Sequence, residues 1–286
     1  MEHHFGDFLD RESGVWTITP NAQRWQHHYP DLATAPEDVS VLTLTRDDQN
    51  WRRVEQFRGL TELTLDRPSP EQLAAVASFP KVSVLRISHA RPKNLDFLRG
   101  QPLLRELVLE YVSGFKDIGP VGELPNLIAL HCENLRAVRD FSGLGASRSL
   151  ELLSIQGTLD WNQPIESLDF LGDIESLKHF SLWLSRAPQV EQPFLSVLKL
   201  NRLIKFDVGM DTVPLEVHAW LKAKLPAVLG TQRPAFFKGG EDESSPNAYL
   251  LGKGERWITG KEEKIDQKCR AHAERFERLV ASYKEG

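Results

Sequence analysis

The feature that most constrains this chain is a triplet of apolar positions that returns about every 22 residues. In Leu104-Arg105-Glu106-Leu107-Val108-Leu109, apolar residues hold the first, fourth and sixth places. The same three places return as Val39, Leu42, Leu44; Leu60, Leu63, Leu65; Val82, Leu85, Ile87; and Leu127, Leu130, Cys132. They return again as Leu150, Leu153, Ile155; Leu177, Phe180, Leu182; and Leu203, Phe206, Val208. Successive fourth places are 21, 22, 22, 23, 23, 27 and 26 residues apart. One such unit cannot bury its own apolar face. A run of them can do so by stacking, so the period predicts a solenoid.

The alternation between the fourth and sixth places is that of a β-strand and puts both side chains on one face. Each short strand then pairs in parallel with the strand of the next repeat. The rest of each repeat must climb back to the start. Segments such as Leu95-Asp96-Phe97-Leu98, Ile118-Gly119-Pro120-Val121 and Leu168-Asp169-Phe170-Leu171 are too short for long helices and predict 3₁₀ or single helical turns. Pro70 to Ser78 instead predicts a true short helix, with Ser69 as its amino-terminal cap and proline at its first position.

Ile118-Gly119-Pro120-Val121-Gly122-Glu123-Leu124-Pro125-Asn126-Leu127 joins the L-x-x-L-x-L core to an I-x-P-V segment and an L-P-N-L step. With the D-F-L segments, it resembles the 22-residue leucine-rich repeats of bacterial internalins and phosphatase-regulating repeat proteins, over roughly residues 39 to 210. The resemblance implies an α/β horseshoe: a parallel sheet on the concave face, short 3₁₀ or helical turns on the convex face, and a cap at each end. It also implies a bacterial source, a protein-binding surface and no chemistry. The chain departs from the family where an asparagine ladder is expected. Those places hold Asp47, Pro68, Ala90, Val112, Leu135, Thr158, Ser185 and Asp211, so some buried turn amides must be satisfied by other means. Insertions at Asp160 to Glu166 and Arg186 to Gln192 predict extra loops on one edge.

Three segments follow: a capping leader at 1–38, the solenoid at 39–212 with about eight repeats, and a terminal unit at 213–286. The leader does not repeat and is rich in aromatics (Phe5, Phe8, Trp16, Trp25, Tyr29), which suits it to shield the open end of the first repeat, the alternative being an aromatic ligand pocket. The doublets His3-His4 and His27-His28 are weak as metal ligands, because adjacent side chains diverge. Beyond the repeats, Val217, Trp220, Leu221, Leu225 and Val228 mark a helix that Pro226 kinks or ends early, with Gly230 as its stop. Residues 231–247 predict a mobile connection. Ala248–Leu251 and Arg256–Thr259 predict a hairpin, and residues 261–284 a long helix with Ile265, Cys269, His272, Phe276, Leu279, Val280 and Tyr283 on one stripe. That stripe either caps the last repeat or docks a partner.

Composition adds mainly exclusions. The chain is 41% hydrophobic and 26% charged, as ordinary soluble proteins are. A net charge of -5 gives no general attraction to nucleic acid or anionic membrane. The two cysteines, Cys132 and Cys269, form neither a disulfide framework nor a metal spacing and fit a reducing compartment. No apolar run is long enough to span a bilayer, and the first ten residues lack a secretory h-region. The expectation is a cytoplasmic protein, with export that leaves no cleavable signal kept open. No P-loop, H-E-x-x-H or G-x-S-x-G pattern is present, and the glycines around Lys253 lack the third glycine of a dinucleotide fingerprint. Neither a catalytic residue nor a metal or cofactor is predicted.

What remains is the inner lining of the sheet. There Glu62, Asp66, Glu106, Glu110 and Glu133 outnumber Arg86 over the first five repeats, and His131, His179 and Lys205 continue the row. Trp183, with Tyr111 at the edge, offers aromatic anchors of the kind enriched at binding hot spots. The expected function is a non-enzymatic module that holds a protein partner of basic surface on this face. The alternative makes residues 248–284 the docking or self-association element and the repeats its scaffold. The same register predicts that Glu106 faces solvent and tolerates change to within about 0.5 kcal/mol, whereas Leu107→Ala costs about 2–5 kcal/mol.

Overall fold

The structure, a computed structural model, describes residues 4–12, 14–79, 81–239 and 246–285. Each triplet builds one strand: β1 (Val41–Thr45), β2 (Glu62–Asp66), β3 (Val84–Ser88), β4 (Glu106–Glu110), β5 (Ala129–Glu133) and β6 (Leu152–Gln156). After these come β7 (Gln163–Pro164), β8 (His179–Trp183), β9 (Ser185–Arg186) and β10 (Lys205–Val208). β1 to β6, β8 and β10 form one eight-stranded parallel sheet in chain order. Its register aligns Leu42, Leu63, Leu85, Leu107, Leu130, Leu153, Phe180 and Phe206 across the sheet, all of them buried. This is a leucine-rich repeat solenoid, and its core is the continuous stack of triplets.

The return segments are 3₁₀ turns at Asp96–Gly100, Ser142–Ala146, Asp169–Asp173 and Leu195–Lys199, with a single α-turn, α2, at Gly119–Gly122. The expected helix begins as α1 (Pro70–Ala75), continues as a 3₁₀ turn and starts from a capping box between Ser69 and Gln72.

The missing asparagine ladder is replaced residue by residue. Directly after five strands, Arg67, His89, Tyr111, Asn134 and Leu184 take left-handed backbone conformations. In the first four, the amide extends the sheet ladder by one step, as in His89 N to Glu110 O and Tyr111 N to Glu133 O, each bond turning the chain away from the sheet. Longer side chains serve the inner turn groups: Gln163 accepts from Leu135 N and donates to Val138 O, and Gln72 donates to Thr45 O. The two insertions are more than loops, since they pair with each other in parallel as β7 and β9. Gly157 lets them close, because a Cβ there would collide with the carbonyl oxygens of Leu184 and Trp161.

At the carboxyl end, α3 (Leu215–Lys224) puts Val217, Trp220 and Leu221 into the solenoid core and closes it. Residues 231–247, expected to be an irregular connection, instead contribute β11 (Phe236–Lys238); residues 240–245 lie outside the described residues. β11 joins β12 (Asn247–Leu250) and β13 (Trp257–Thr259) in an antiparallel sheet, the last two forming the expected hairpin. The long helix α4 (Glu262–Glu285) packs on α3 and this small sheet, burying Ile265, Cys269, His272, Phe276 and Val280. The stripe is therefore covered from within the chain.

Candidate protein-binding face

The amino-terminal leader has a place the sequence did not suggest. Tyr29, Leu32 and Ala35 pack against the core at the first strand and cover the open end. Residues 4–12 and 14–28 instead run across the inner face of the sheet as a strap. Trp16 and Ile18 alternate inward onto Val84, Val108, Ala129 and Leu152. The chain then crosses back toward the first repeat, where His28 bridges to Thr43.

The acidic row is what holds this strap. Glu106 Oε2 accepts the Thr17 and Ile18 amides at 2.9 and 3.0 Å, and Oε1 accepts the Thr17 hydroxyl at 2.5 Å. Glu62 accepts Thr19 N at 2.8 Å, and Glu133 accepts Phe5 N at 2.8 Å. Arg86, fully buried, donates to Asn21 Oδ1 and Thr19 O, while Arg24 of the strap reaches Asp66 at 3.2 Å. Arg11 ties the strap to itself through the carbonyls of Gly6, Asp7, Leu9 and Ile18. The strap amides of Phe5, Thr17, Ile18 and Thr19 have no ladder partner, and buried carboxylates on the strand positions that point away from the solenoid core supply the acceptors.

The expectation that Glu62, Asp66, Arg86, Glu106, Glu110, His131 and Glu133 face solvent therefore does not hold: all seven are buried. Their charges are spent within the chain, and the case for a basic partner falls with them. Burial raises the Glu62 carboxyl. Burial also pushes Glu110 up, but a hydrogen bond from His4 and the charges of Arg86 and His131 outweigh it and hold the group at about 2. Tyr111, the expected edge anchor, is half-buried and stacks on His89 at 5.0 Å.

His131 also links two neighbours, with Nδ1 3.0 Å from Ser154 Oγ and Nε2 3.4 Å from Glu133 Oε2. A serine, histidine and carboxylate in a row suggest a nucleophile relay, but an acyl-transfer site needs amides aimed at a developing oxyanion. The amides of β6 are engaged in the parallel ladder instead. Glu110, His131 and Glu133 also place one potential ligand atom each within 4.8 Å of one another.

The strap leaves the far end of the inner face open. There a cleft of about 430 Å³ lies between the strap and β6, β8 and β10. Phe5, Phe8, Leu9, Val15 and Trp16 form one wall; Leu152, Trp183 and Leu184 line the other. His179, Lys205 and Asp207 add polar groups. Phe8 is 83% exposed although it lies on the strap. Trp183 is half-buried, with Arg233 5.3 Å from its ring centre and ion-paired to Asp207. Of the expected binding residues, only His179, Trp183 and Lys205 line this cleft. Sequence reading missed the strap's wall. Its signal is the leader's aromatic density, which suits a ligand pocket as well as an end cap.

No protein-family model matches the chain, and no curated protein matches it. Among solved structures, it is similar to an internalin (InlF) from Listeria monocytogenes, with a TM-score of 0.44 and 18% identity over 58% of this chain and 46% of that one. It is also similar to a leucine-rich repeat protein of Leptospira interrogans, with a TM-score of 0.44 and 17% identity over 64% of this chain and 52% of that one. The chain thus spans about half the length of these two structures. The fold assignment stands on the repeats' own strands and register.

Proposed function

We propose that this leucine-rich repeat chain is a non-enzymatic protein-binding module whose partner enters the open end of the inner face, between the strap and β8–β10. The observation that supports this most is the cleft itself: apolar walls from two parts of the chain, an exposed Phe8 at its rim and Trp183 within it. An aromatic side chain held in place and rimmed by polar groups has the character of an interface hot spot. The acidic row is occupied, so apolar and aromatic contacts carry the affinity, and salt weakens it only slightly. A partner presenting an apolar segment fits better than one presenting a basic surface.

The test is selection of binders from a peptide library on the intact protein, followed by affinity measurement on variants. Trp183→Ala is expected to weaken them by tenfold or more, about 2 kcal/mol. Lys199→Ala, on the convex turn, should leave them unchanged. Binders indifferent to Trp183 and Phe8 would place the interface elsewhere.

One observation favours a second reading. Phe237, Tyr249 and Trp257 lie in cross-strand register on one face of the small sheet, with Phe237 and Trp257 40% and 50% exposed. Binding lost in Trp257→Ala and kept in Trp183→Ala would make this carboxyl-terminal row the docking element.

A further inference from the structure

Under the strap, the ligand-type side chains of β4 and β5 converge without enough protons or hydrogen-bond donors to satisfy them. Glu110, His131 and Glu133 are each fully buried, and one ligand atom from each lies within 4.8 Å of the others. One oxygen of each carboxylate is accounted for. Glu110 Oε2 meets Ser88 Oγ at 3.1 Å and His4 Nδ1 at 3.3 Å, and Glu133 Oε2 accepts Phe5 N. The other oxygen, Oε1 in both, has no hydrogen-bond partner among the described residues. A buried, unpaired carboxylate oxygen is costly, so something positive is expected against it.

The charge balance agrees. Arg86 stands with Nε 4.0 Å from Glu110 and both terminal nitrogens directed to the strap, and the other buried guanidinium nearby, that of Arg24, is paired with Asp66. Among the described residues, neither guanidinium donates a hydrogen bond to either carboxylate. His131 is oriented as metal-bound histidines commonly are, with one ring nitrogen on a partner in the surrounding protein and the other turned to the cluster. Its Nδ1 lies 3.0 Å from Ser154 Oγ and its Nε2 3.4 Å from Glu133 Oε2, so the ring is held between the surrounding protein and the cluster. His4, from the strap, brings a second imidazole to Glu110. Gly6 keeps the space above, since a Cβ there would collide with Glu110 Oε1.

We infer that Glu110, His131 and Glu133, closed over by His4, form a binding site for one divalent transition-metal ion of the zinc type, which pins the strap to the inner face. Imidazole with carboxylate oxygens is a donor set that suits zinc. Because its ligands come from two strands and the strap, the ion would bind only the strapped form and stabilise it by mass action.

The probe is Zn²⁺ alone, added to the full chain after treatment with EDTA and removal of the chelator. Expected are one Zn²⁺ per chain by elemental analysis and a melting temperature that rises on loading. His131→Gln should raise the Zn²⁺ dissociation constant by at least about tenfold, and Glu133→Gln, which keeps an acceptor for Phe5 N, should do the same. His27→Ala, outside the cluster, should keep wild-type affinity. Should His131→Gln not fold, the wild-type stoichiometry and the Glu133→Gln titration still decide. Failure of wild-type protein to take up zinc, or equal affinity in folded Glu133→Gln, would overturn the site and leave protons as what holds the carboxylates together.

Discussion

Glu106 on β4 holds Thr17 of the strap by two groups at once, accepting its amide at 2.9 Å and its hydroxyl at 2.5 Å. The same carboxylate accepts Ile18 N. Hydrogen bonds to an ionised acceptor contribute more than neutral ones, and removing the acceptor leaves two amides unpaired. Glu106→Ala is therefore expected to cost about 2–3 kcal/mol, far above the value expected for a solvent-facing side chain. Urea unfolding of the variant beside Leu107→Ala checks this; a loss near zero for Glu106 would mean that the strap is not held there.

His218 makes the carboxyl cap pH-dependent. Burial on α3 lowers its pKa to about 4, against a backbone hydrogen bond to Met210 that raises it. A histidine whose folded pKa is depressed contributes stability above its unfolded value of about 6.5, and that stability is lost as pH falls toward 4. The contribution lost by pH 4.5 is about 2 kcal/mol. Comparing unfolding at pH 7.5 and pH 4.5 should show a smaller difference in His218→Gln than in the wild type, by about that amount.

Gly157 stands where a side chain has no room. A Cβ would meet the carbonyls of Leu184 and Trp161 and approach Gln163 N to 2.8 Å, all backbone atoms of the paired insertions. Gly157→Ala is expected to cost about 2–4 kcal/mol and to separate β7 from β9. Amide exchange at Ile165, which donates to Arg186 O, reports that separation directly.

The repeat was legible because its signal is periodic and local: eight triplets in near-equal steps admit one strand register, which Leu107 and Leu130 keep. The Pro70 helix is legible because Ser69 and Pro70 together mark its start. The strap was not. Glu106 and Thr17 are 89 positions apart, and nothing in either stretch marks the other. A carboxylate on an outward strand position reads the same whether it meets water or a backbone amide. Hence the acidic lining reads in the sequence as a binding surface, although the leader's own chain occupies it. Trp183, His179 and Lys205 reach the cleft because their repeats lie beyond the strap's end.

The amino-terminal segment lies on the inner face and leaves only its far end open. Amide hydrogen exchange at Thr17, Ile18 and Thr19 in the intact protein tests it most directly. Strong protection of all three in the wild type is expected, lost at Thr17 and Ile18 on Glu106→Ala while β4 amides stay protected. Exchange at the rate of an unstructured chain in the wild-type protein would contradict it.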